Sequence, residues 1–507
     1  MKNILEQFEL IEQRFPDKII FSDVEKSVTF SEFKKRCKQV ASKIAKRNLL
    51  NQPIAVVDNR DVNTLIAMFG IVYSGNHYVV LDGASPVERL AKICNVVEPK
   101  LILCEKQTAA IAQELIASLN VSTPPDTLGV ETQTEIDEQK LAQIREQSVA
   151  TDLVYILFTS GSTGTPKGTV INHANILSYM QWYTKAMEID ENTTFASQTP
   201  FYFSASVSDM YSALLAGATF NIIPKSYFSF PIQLVRFMNE RKVNTIYWVP
   251  SALCLCANIK LFDYEKPLYL KKVMFIGEVM PCKQLNYWRK NLPDVQYANL
   301  FGPTETVDIC TYFKIKREFK DDDNLPIGIH CEGLTTFILG EDGKEITECG
   351  KAGELYVRGP FVASGYYKNE EATNKAFVQN PLHNLYPEKV YKTGDLVQLN
   401  KFGEYEFVGR ADFQIKHKGY RIELGEIERV AGALEKVDSA VAIFDKDADA
   451  IILVYTGRRK SDEVLAELKN KIPDYMVPEK VIKTPQLPMN QNGKIDRKQL
   501  LNIYKTL

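Results

Sequence analysis

The sequence predicts an α/β protein of two domains. Apolar runs with strand character alternate with helical patterns over most of the chain, which favours α/β architecture with largely parallel sheets. A chain of 507 residues is also too long for one hydrophobic core. The pattern changes near residue 409, and the ~95 residues beyond it have the size of a small domain. We therefore expect a large N-terminal domain over 1–411 and a small C-terminal domain over 412–507.

The individual elements follow from local patterns. Short apolar runs predict strands, and amphipathic runs predict helices. Polar residues over 120–150 predict a surface connection. Beyond the boundary, the mixture of one helix and two strands predicts an α+β domain. The predicted strands cover 153–158, 245–249, 273–276, 353–357, 440–443 and 451–454, and the predicted helices cover 30–47, 231–241 and 424–434.

The composition excludes several classes of protein. The formal net charge of -2 gives no electrostatic reason to expect nucleic acid or an anionic membrane as a partner. No apolar run approaches the roughly 20 residues that a spanning helix needs, and the N-terminus has no signal-peptide core. Nine cysteines without a Cys-x-x-Cys pair, with only five histidines, predict neither disulfides nor zinc. We expect a cytoplasmic enzyme.

One loop carries the first chemical signal. Residues 159–168, TSGSTGTPKG, follow a predicted buried strand and precede a predicted helix near Asn175. Glycines let backbone N–H groups approach a phosphate, hydroxyls donate to its oxygens, and the lysine supplies charge. The spacing differs from that of the Walker loop, which disfavours a P-loop kinase or ATPase. A flexible surface loop is the alternative. The candidate phosphate-binding residues are Thr159, Ser160, Gly161, Ser162, Thr163, Gly164 and Lys167.

Further motifs follow in order at 299–306 (NLFGPTET), 391–396 (YKTGDL), 409–423 (GRADFQIKHKGYRIE) and 490–497 (NQNGKIDR). Together with 159–168 they resemble the adenylate-forming superfamily of acyl-CoA synthetases, luciferases and peptide-synthetase adenylation domains. Residues 277–281 (GEVMP) and 412–416 (DFQIK), with the overall length, are most similar to stand-alone D-alanine–D-alanyl carrier protein ligases. The resemblance implies stacked α/β subdomains in the large domain and a mobile small domain.

The resemblance also implies a site for ATP and Mg²⁺. The 159–167 loop would clamp the pyrophosphate end of ATP, and Phe301 would stack on adenine. Thr304 would contact the α-phosphate, and Glu305 would hold Mg²⁺ as a catalytic residue. The other nucleotide-binding residues that the resemblance implies are Gly277, Glu278, Asn299, Leu300, Gly302, Asp395 and Arg410.

Three residues of the C-terminal domain receive roles from the resemblance. Lys494, presented by an Asn-Gly turn signal, would be the main catalytic group, bridging the substrate carboxylate and the phosphate. Asp412 would be the hinge about which the small domain rotates after adenylation. Gly419 would then lie where a pantetheine thiol passes; an ordinary hairpin glycine is its other interpretation.

The substrate pocket departs from the family pattern at two positions. The aspartate that normally binds an α-ammonium is replaced by Ser204, and a usually apolar position is Asp308. A buried carboxylate is costly without a cation or hydrogen-bond donors. We expect Asp308 to bind the ammonium or another cationic or donor group of a small acid. Alternatively, Asp308 pairs with Ser204 or water, and the acid is neutral. The other predicted pocket residues are Phe203, Ala205, Ser208, Trp248, Met274, Ile276, Leu300 and Ile309.

The expected reaction is activation of a small carboxylic acid, an amino acid by preference, as its adenylate. The chain ends one short helix after Lys494 and lacks a carrier motif, so we expect a phosphopantetheinylated carrier protein acting in trans as acceptor. An acyl- or aryl-CoA ligase that uses free coenzyme A is the alternative enzyme. A catalytically silent homologue that senses ATP is the alternative of another class. The identity and chirality of the acid stay open.

Overall fold

A computed structural model describes residues 3–119, 124–130, 134–159, 166–411, 414–488 and 495–506. The described residues form five β-sheets with helices packed against them. The elements of the first half are α1 Ile4–Arg14, β1 Ile19–Ser22, β2 Ser27–Thr29, α2 Phe30–Ala45, β3 Pro53–Asp58, α3 Val62–Tyr73, β4 His77–Asp82, α4 Val87–Val97, β5 Leu101–Cys104, α5 Ala109–Ser118, β6 Asp126–Gly129, α6 Glu138–Gln147, β7 Leu153–Thr159, β8 Lys167–Asn172, α7 His173–Ala186, β9 Thr194–Ser197, α8 Ala205–Ala216, β10 Thr219–Ile222, α9 Pro231–Glu240 and β11 Thr245–Trp248.

The second half continues with shorter helices and with antiparallel strands. Its elements are α10 Pro250–Asn258, β12 Lys272–Phe275, α11 Cys282–Asn291, β13 Gln296–Phe301, β14 Thr311–Lys314, β15 Ile329–His330, β16 Thr335–Leu339, β17 Gly353–Arg358, α12 Glu370–Ala376, β18 Phe377–Gln379, β19 Lys389–Leu399, β20 Tyr405–Arg410, β21 Gln414–His417, β22 Tyr420–Glu423, α13 Leu424–Gly432, β23 Val437–Asp445, β24 Ala450–Gly457, α14 Ser461–Lys471, β25 Lys480–Lys483 and α15 Arg497–Thr506.

Two large sheets confirm the predicted α/β class. One has the order β6-β5-β3-β4-β7-β8, and the other has the order β15-β14-β13-β12-β11-β9-β10-β1-β2. From β6 to β7 in the first, and from β13 to β1 in the second, neighbouring strands pair in parallel. Helix α3 is buried along its whole length, as its apolar sequence requires, and it packs in a core that both sheets share.

The third sheet differs from the expectation of parallel strands. Strands β16 to β20 pair antiparallel, because short connections such as that from β19 to β20 join neighbouring strands directly. The predicted surface connection over 120–150 is largely exposed in its described residues, but it also contains regular elements. It contributes β6 to the edge of the first sheet and contains α6.

Beyond residue 414, the described strands pair only among themselves. Strands β21 and β22 form a two-stranded ribbon, here named the C-terminal ribbon (414–423), and β23, β24 and β25 form a separate sheet with its own core. A buried ion pair between Arg89 and Glu426 joins this part of the chain to α4. No helix within the described ranges is both long and apolar enough to cross a bilayer.

Candidate active site

A cavity of about 380 Å³ opens where several parallel strands of the second large sheet end. Its wall includes Thr199 beyond β9, Val249 beyond β11, Gly277 beyond β12 and Gly302 beyond β13. In open α/β sheets the carboxyl ends of the strands are the usual place for ligands, because the connecting loops diverge there. The C-terminal ribbon closes the opposite side through Gln414, Lys416 and the segment 418–421.

The turn after β13 brings two polar side chains to the cavity wall and a third close behind it. At Gly302 a side chain would collide with the backbone oxygen of Asp308, so only glycine allows the chain to fold back here. Val307 has a φ of 65°, a strained conformation for a β-branched residue of the kind that concentrates at functional sites. The result is that Thr304 and Asp308 line the cavity, while Glu305 is fully buried beside it.

Glu305 is held as a carboxylate by two partners from distant segments. Tyr366 donates to its Oε1 at 2.6 Å, and the Arg421 guanidinium contacts both oxygens at 2.9 and 2.7 Å. Burial alone would raise the pKa of Glu305, but the positive charge of Arg421 and the Tyr366 hydroxyl outweigh it and hold the pKa below its ordinary value. The carboxylate is therefore ionised, and in this arrangement Arg421 occupies both of its oxygens.

Only part of a metal site is provided by the protein. No group of three or more His, Cys, Asp or Glu side chains within the described ranges is arranged to hold a metal ion. A single carboxylate is nevertheless the donor set that Mg²⁺ uses when nucleotide phosphates and water supply its other ligands. A single carboxylate such as that of Glu305 would therefore fit Mg²⁺ that is bound together with nucleotide phosphates.

Asp395 and Arg410 face each other across β19 and β20, where they are register partners. Arg410 Nη1 lies 2.8 Å from Asp395 Oδ1 and also donates to the Thr393 carbonyl. A Cβ on Gly394 would lie 2.7 Å from Arg410 Nη2, and Gly394 has a φ of 74°, so this glycine makes room for the guanidinium. Both charged residues line the cavity, where the carboxylate can accept from ribose hydroxyls.

Two further residues predicted to bind the nucleotide, Asn299 and Glu278, form hydrogen bonds within the protein. Asn299 donates to the Pro326 carbonyl at 2.8 Å. Glu278 accepts from the backbone N–H of Ser251 at 2.8 Å and of Gly419 at 2.6 Å, while burial raises its pKa. Glu278 therefore fastens the C-terminal ribbon to the loop after β12.

Asp308 makes its part of the cavity wall polar. Its Oδ2 accepts from Ser208 at 2.6 Å and from Tyr247 at 2.9 Å, and Ser208 in turn accepts from Tyr179 at 2.6 Å. Burial raises the pKa of Asp308 to about 6, with the hydroxyls of Ser208 and Tyr247 acting in the opposite direction. Ser204 does not take part: it accepts from Thr304 at 3.2 Å. The expected alternative of an Asp308–Ser204 pair is therefore wrong.

The predicted pocket residues fall into two groups, those that line the cavity and those that do not. Those that line it are Phe203, Ser204, Ala205, Ile276 and Asp308. The others lie buried behind its wall: Trp248 donates to the Ala196 carbonyl, and Met274 sulfur accepts from Tyr183. The buried group comprises Ser208, Trp248, Met274, Leu300 and Ile309. Five of the ten predicted pocket residues therefore line the cavity.

Apart from Gly419, the C-terminal ribbon carries residues whose importance the sequence did not indicate. Gly419 has a φ of 81°, and a Cβ there would lie 2.5 Å from a methyl group of Val249. The Tyr420 ring packs on Phe203 at 4.8 Å between centroids, and Lys416 Nζ lies 4.5 Å from the centre of the Phe301 ring. Arg421 was visible only as part of a motif. Its pairing with Glu305 joins positions 116 residues apart, a separation at which no local pattern operates.

Several predicted residues lie outside the described ranges. These are Ser160, Gly161, Ser162, Thr163, Gly164, Asp412 and Lys494. The flanks of the phosphate loop are described: Thr159 ends β7 and pairs with Lys167, which begins β8. Lys167 Nζ lies 5.7 Å from the centre of the Tyr366 ring, whose hydroxyl binds Glu305. The loop thus begins and ends on the Glu305 side of the cavity.

Comparison with known proteins gives a consistent result. Residues 8–367 match the sequence model of a family described as AMP-binding enzymes. The chain is 29% identical to a D-alanine–D-alanyl carrier protein ligase of Bacillus licheniformis, over 98% of both chains. It is also 29% identical to tyrocidine synthase 1 of Brevibacillus parabrevis, over 98% of this chain but only 45% of that longer protein. The Vibrio cholerae adenylation domain AlmE, solved with glycyl-adenosine-5′-phosphate, superposes with a TM-score of 0.86 at 19% identity, covering 100% of this chain and 98% of that one.

Proposed function

The chain belongs to the family of AMP-binding enzymes and is an adenylate-forming ligase, and we propose that it activates a small amino acid and transfers it to the thiol of a carrier protein. The observation that carries the proposal is one cavity lined by two chemically different groups of residues. Asp395 and Arg410 form a group suited to a nucleotide, and Asp308 is suited to a cationic acid. Thr304 lines the same cavity and donates to Ser204.

In the proposed first step, a carboxylate oxygen of the acid attacks the α-phosphorus of ATP. An O–P bond forms, the bond between the α-phosphorus and the bridging oxygen breaks, and pyrophosphate leaves with that oxygen. Both reactants are anionic, so the enzyme has to supply positive charge and alignment. Bound Mg²⁺ would neutralise phosphate charge. The protein would contribute Arg410 next to the ribose site, Glu305 as metal ligand and the Thr304 hydroxyl at the reacting phosphate.

Two regions outside the described residues complete the proposed first step. The 159–167 loop would clamp the pyrophosphate end, as supported by the position of Lys167 next to Tyr366. Lys494 would bridge the acid carboxylate and the α-phosphate, where negative charge increases during the reaction. Both roles are those that the family resemblance implies.

The proposed second step involves the C-terminal domain, 412–507. Arg421 occupies both oxygens of Glu305, so the described arrangement competes with metal binding and suits the state after pyrophosphate has left. Gly419 then lies against Val249 and Glu278 at the cavity wall. A thiol entering beside this glycine would attack the acyl carbon, forming a thioester and releasing AMP. Rotation about Asp412 would exchange the two states.

Asp308 would be the residue that reads the acid. Its two hydroxyl partners both contact Oδ2, and a buried carboxylate of this kind favours a cationic ligand. A neutral acid is the alternative, in which the hydroxyls alone would satisfy Asp308. The two alternatives predict opposite preferences between an amine-bearing acid and its deaminated analogue.

Two assays test the proposal. ATP–pyrophosphate exchange across a panel of small acids should give a signal that depends on the acid and on Mg²⁺, and it should vanish in Glu305→Gln. Absence of exchange with every acid would contradict adenylation and favour a catalytically silent protein. Incubation of the enzyme with ATP, the best acid and either coenzyme A or a phosphopantetheinylated carrier protein then identifies the acceptor. Faster thioester formation on coenzyme A would establish the alternative ligase.

A further inference from the structure

Two serines of helix α8 form hydrogen bonds with residues of the cavity wall, and their spacing along the helix can be compared with the length of a substrate. Ser204, at the N-terminal end of α8, accepts a hydrogen bond from Thr304. Ser208, four residues further on, donates to Asp308. Four helical residues correspond to a rise of about 6 Å. Ser204 is partly exposed, whereas Ser208 and Asp308 are buried, so the hydroxyl that binds Asp308 stands about one helical turn further along α8 than Ser204, in the buried part of the helix.

The charges on the cavity wall determine which end of a substrate faces Asp308. Four of the six cations that line the cavity lie on the side of Asp395 and the C-terminal ribbon, namely Arg410, Lys416, Lys418 and Arg421, and the other two are Arg60 and Lys225. A substrate carboxylate is attracted to that side and repelled by the ionised Asp308. The carboxylate therefore belongs near Thr304 and Ser204, and the opposite end of the molecule reaches Asp308.

Asp308 is positioned to bind a cation directly. Ser208 and Tyr247 both donate to its Oδ2, Tyr179 is a third hydroxyl that lowers its pKa, and the carboxylate lines the cavity, where a ligand can reach it. Within the described ranges, no Lys, Arg or His forms an ion pair with it. The positive charge of Lys416 lowers the pKa of Asp308. Lys416 itself lies over the Phe301 ring, and Asp395 is the carboxylate that most raises its pKa.

On the basis of the adenylation activity proposed above, on which this assignment rests, we infer that the substrate is a β- or γ-amino acid whose ammonium is bound by Asp308. In an α-amino acid the nitrogen is only about 2.5 Å from the carboxyl carbon, and each methylene of an extended chain adds about 1.3 Å. A separation of about 4–5 Å, as in a β- or γ-amino acid, approaches the rise between Ser204 and Ser208. An α-ammonium would instead lie beside Ser204, whose hydroxyl provides no negative charge.

The test on the unaltered enzyme is pyrophosphate exchange with matched acids. The panel contains glycine, both alanine enantiomers, 3-aminopropanoate, 4-aminobutanoate, 5-aminopentanoate, propanoate and butanoate. We expect 3-aminopropanoate or 4-aminobutanoate to give a kcat/KM at least about 100-fold above glycine, alanine and the deaminated acids, the scale expected for a buried charge pair. Strongest exchange with an α-amino acid, or with a neutral acid, overturns the inference and leaves the adenylation function intact. Absence of exchange with every acid removes both.

Three variants locate the effect. Asp308→Asn should lower kcat/KM for the preferred amine about 100-fold, mainly through KM, and should leave the deaminated acid unaffected. Ser204→Asp introduces a carboxylate one turn nearer Thr304 and should raise exchange with glycine or alanine at least about tenfold. The matched control is Asp322→Asn, an exposed aspartate outside the cavity, which should behave as the unaltered enzyme. Equal loss for the amine and its deaminated analogue in Asp308→Asn would overturn the assignment.

Discussion

The Asp308→Asn variant should be more stable than the unaltered protein at neutral pH. Asparagine has nearly the same shape, and its amide oxygen can accept the hydrogen bonds of Ser208 and Tyr247. The substitution removes only the charge. Because burial is the largest influence on the Asp308 carboxyl and raises its pKa from 3.8 to about 6, the charged form is less stable in the folded protein than in the unfolded chain.

The magnitude follows from proton linkage. A pKa difference of about two units corresponds to about 3 kcal/mol, since each unit contributes 1.36 kcal/mol. The folded state keeps a proton that the unfolded state has released between pH 4 and pH 6, so the contribution of Asp308 to stability is full below pH 4 and is lost as pH rises through 6. Asparagine does not ionise, so the variant does not lose this stability as the pH rises. The free-energy advantage of the variant should therefore grow between pH 4 and pH 6 and reach about 3 kcal/mol above pH 7.

Urea unfolding of both proteins at a series of pH values measures this difference. Trp182, Trp248 and Trp288 all lie before residue 411, so their fluorescence reports on the part of the chain that contains Asp308. A stability difference that does not change between pH 4 and pH 8 would refute the reasoning. The opposite effects of one substitution on stability and on amine binding would identify Asp308 as a residue whose functional role costs stability.

Three further outcomes are expected. Gly419→Ala should keep pyrophosphate exchange but slow thioester formation at least about tenfold, since the added methyl group collides at the cavity wall and the positive φ disfavours alanine; equal loss in both assays would contradict a role limited to transfer. Addition of ATP and Mg²⁺ should speed hydrogen exchange in the C-terminal ribbon, because Glu305 cannot hold a metal ion and Arg421 with the same oxygens; unchanged exchange would mean that the two coexist. Arg410→Met should lower the free energy of unfolding by about 3 kcal/mol, because it leaves Asp395 buried without its partner; urea titration should show that an added Asp395→Asn restores most of the loss, and no recovery would mean that packing is responsible.

The pattern of the sequence was sufficient for the architecture of the large sheets. Strands predicted at 153–158 and 245–249 correspond to β7 and β11, and the helix predicted at 231–241 corresponds to α9. Buried parallel strands and amphipathic helices leave a periodic signal within about ten residues, so they can be recognised locally. The antiparallel third sheet and strand β6 left weaker signals, because pairing partners and edge positions depend on segments far apart in the chain.

The residues predicted to bind the nucleotide also divide into features that a local motif reveals and contacts that depend on the whole fold. The Asp395 and Arg410 motifs were recognisable, and their pairing follows from a short connection between β19 and β20. Glu305 was recognisable as well, but its contact with Arg421 depends on how the C-terminal ribbon docks. Docking of one part of the chain on another is a property of complementary surfaces, which no local motif specifies.

At the substrate end, the amino-acid sequence established that the usual carboxylate is absent at Ser204 and that a new one is present at Asp308. It left open whether the two positions adjoin. The folded chain separates them by a turn of α8 and surrounds Asp308 with the hydroxyls of Ser208 and Tyr247, which lie 100 and 61 positions away from Asp308 in the chain. Such contacts arise because the strained turn at Val307 and the packing of α8 on the sheet bring remote residues together. Residue identity supplied the chemical groups, whereas three-dimensional packing decided which of them adjoin, because contacts between positions 61 and 100 residues apart depend on the whole fold.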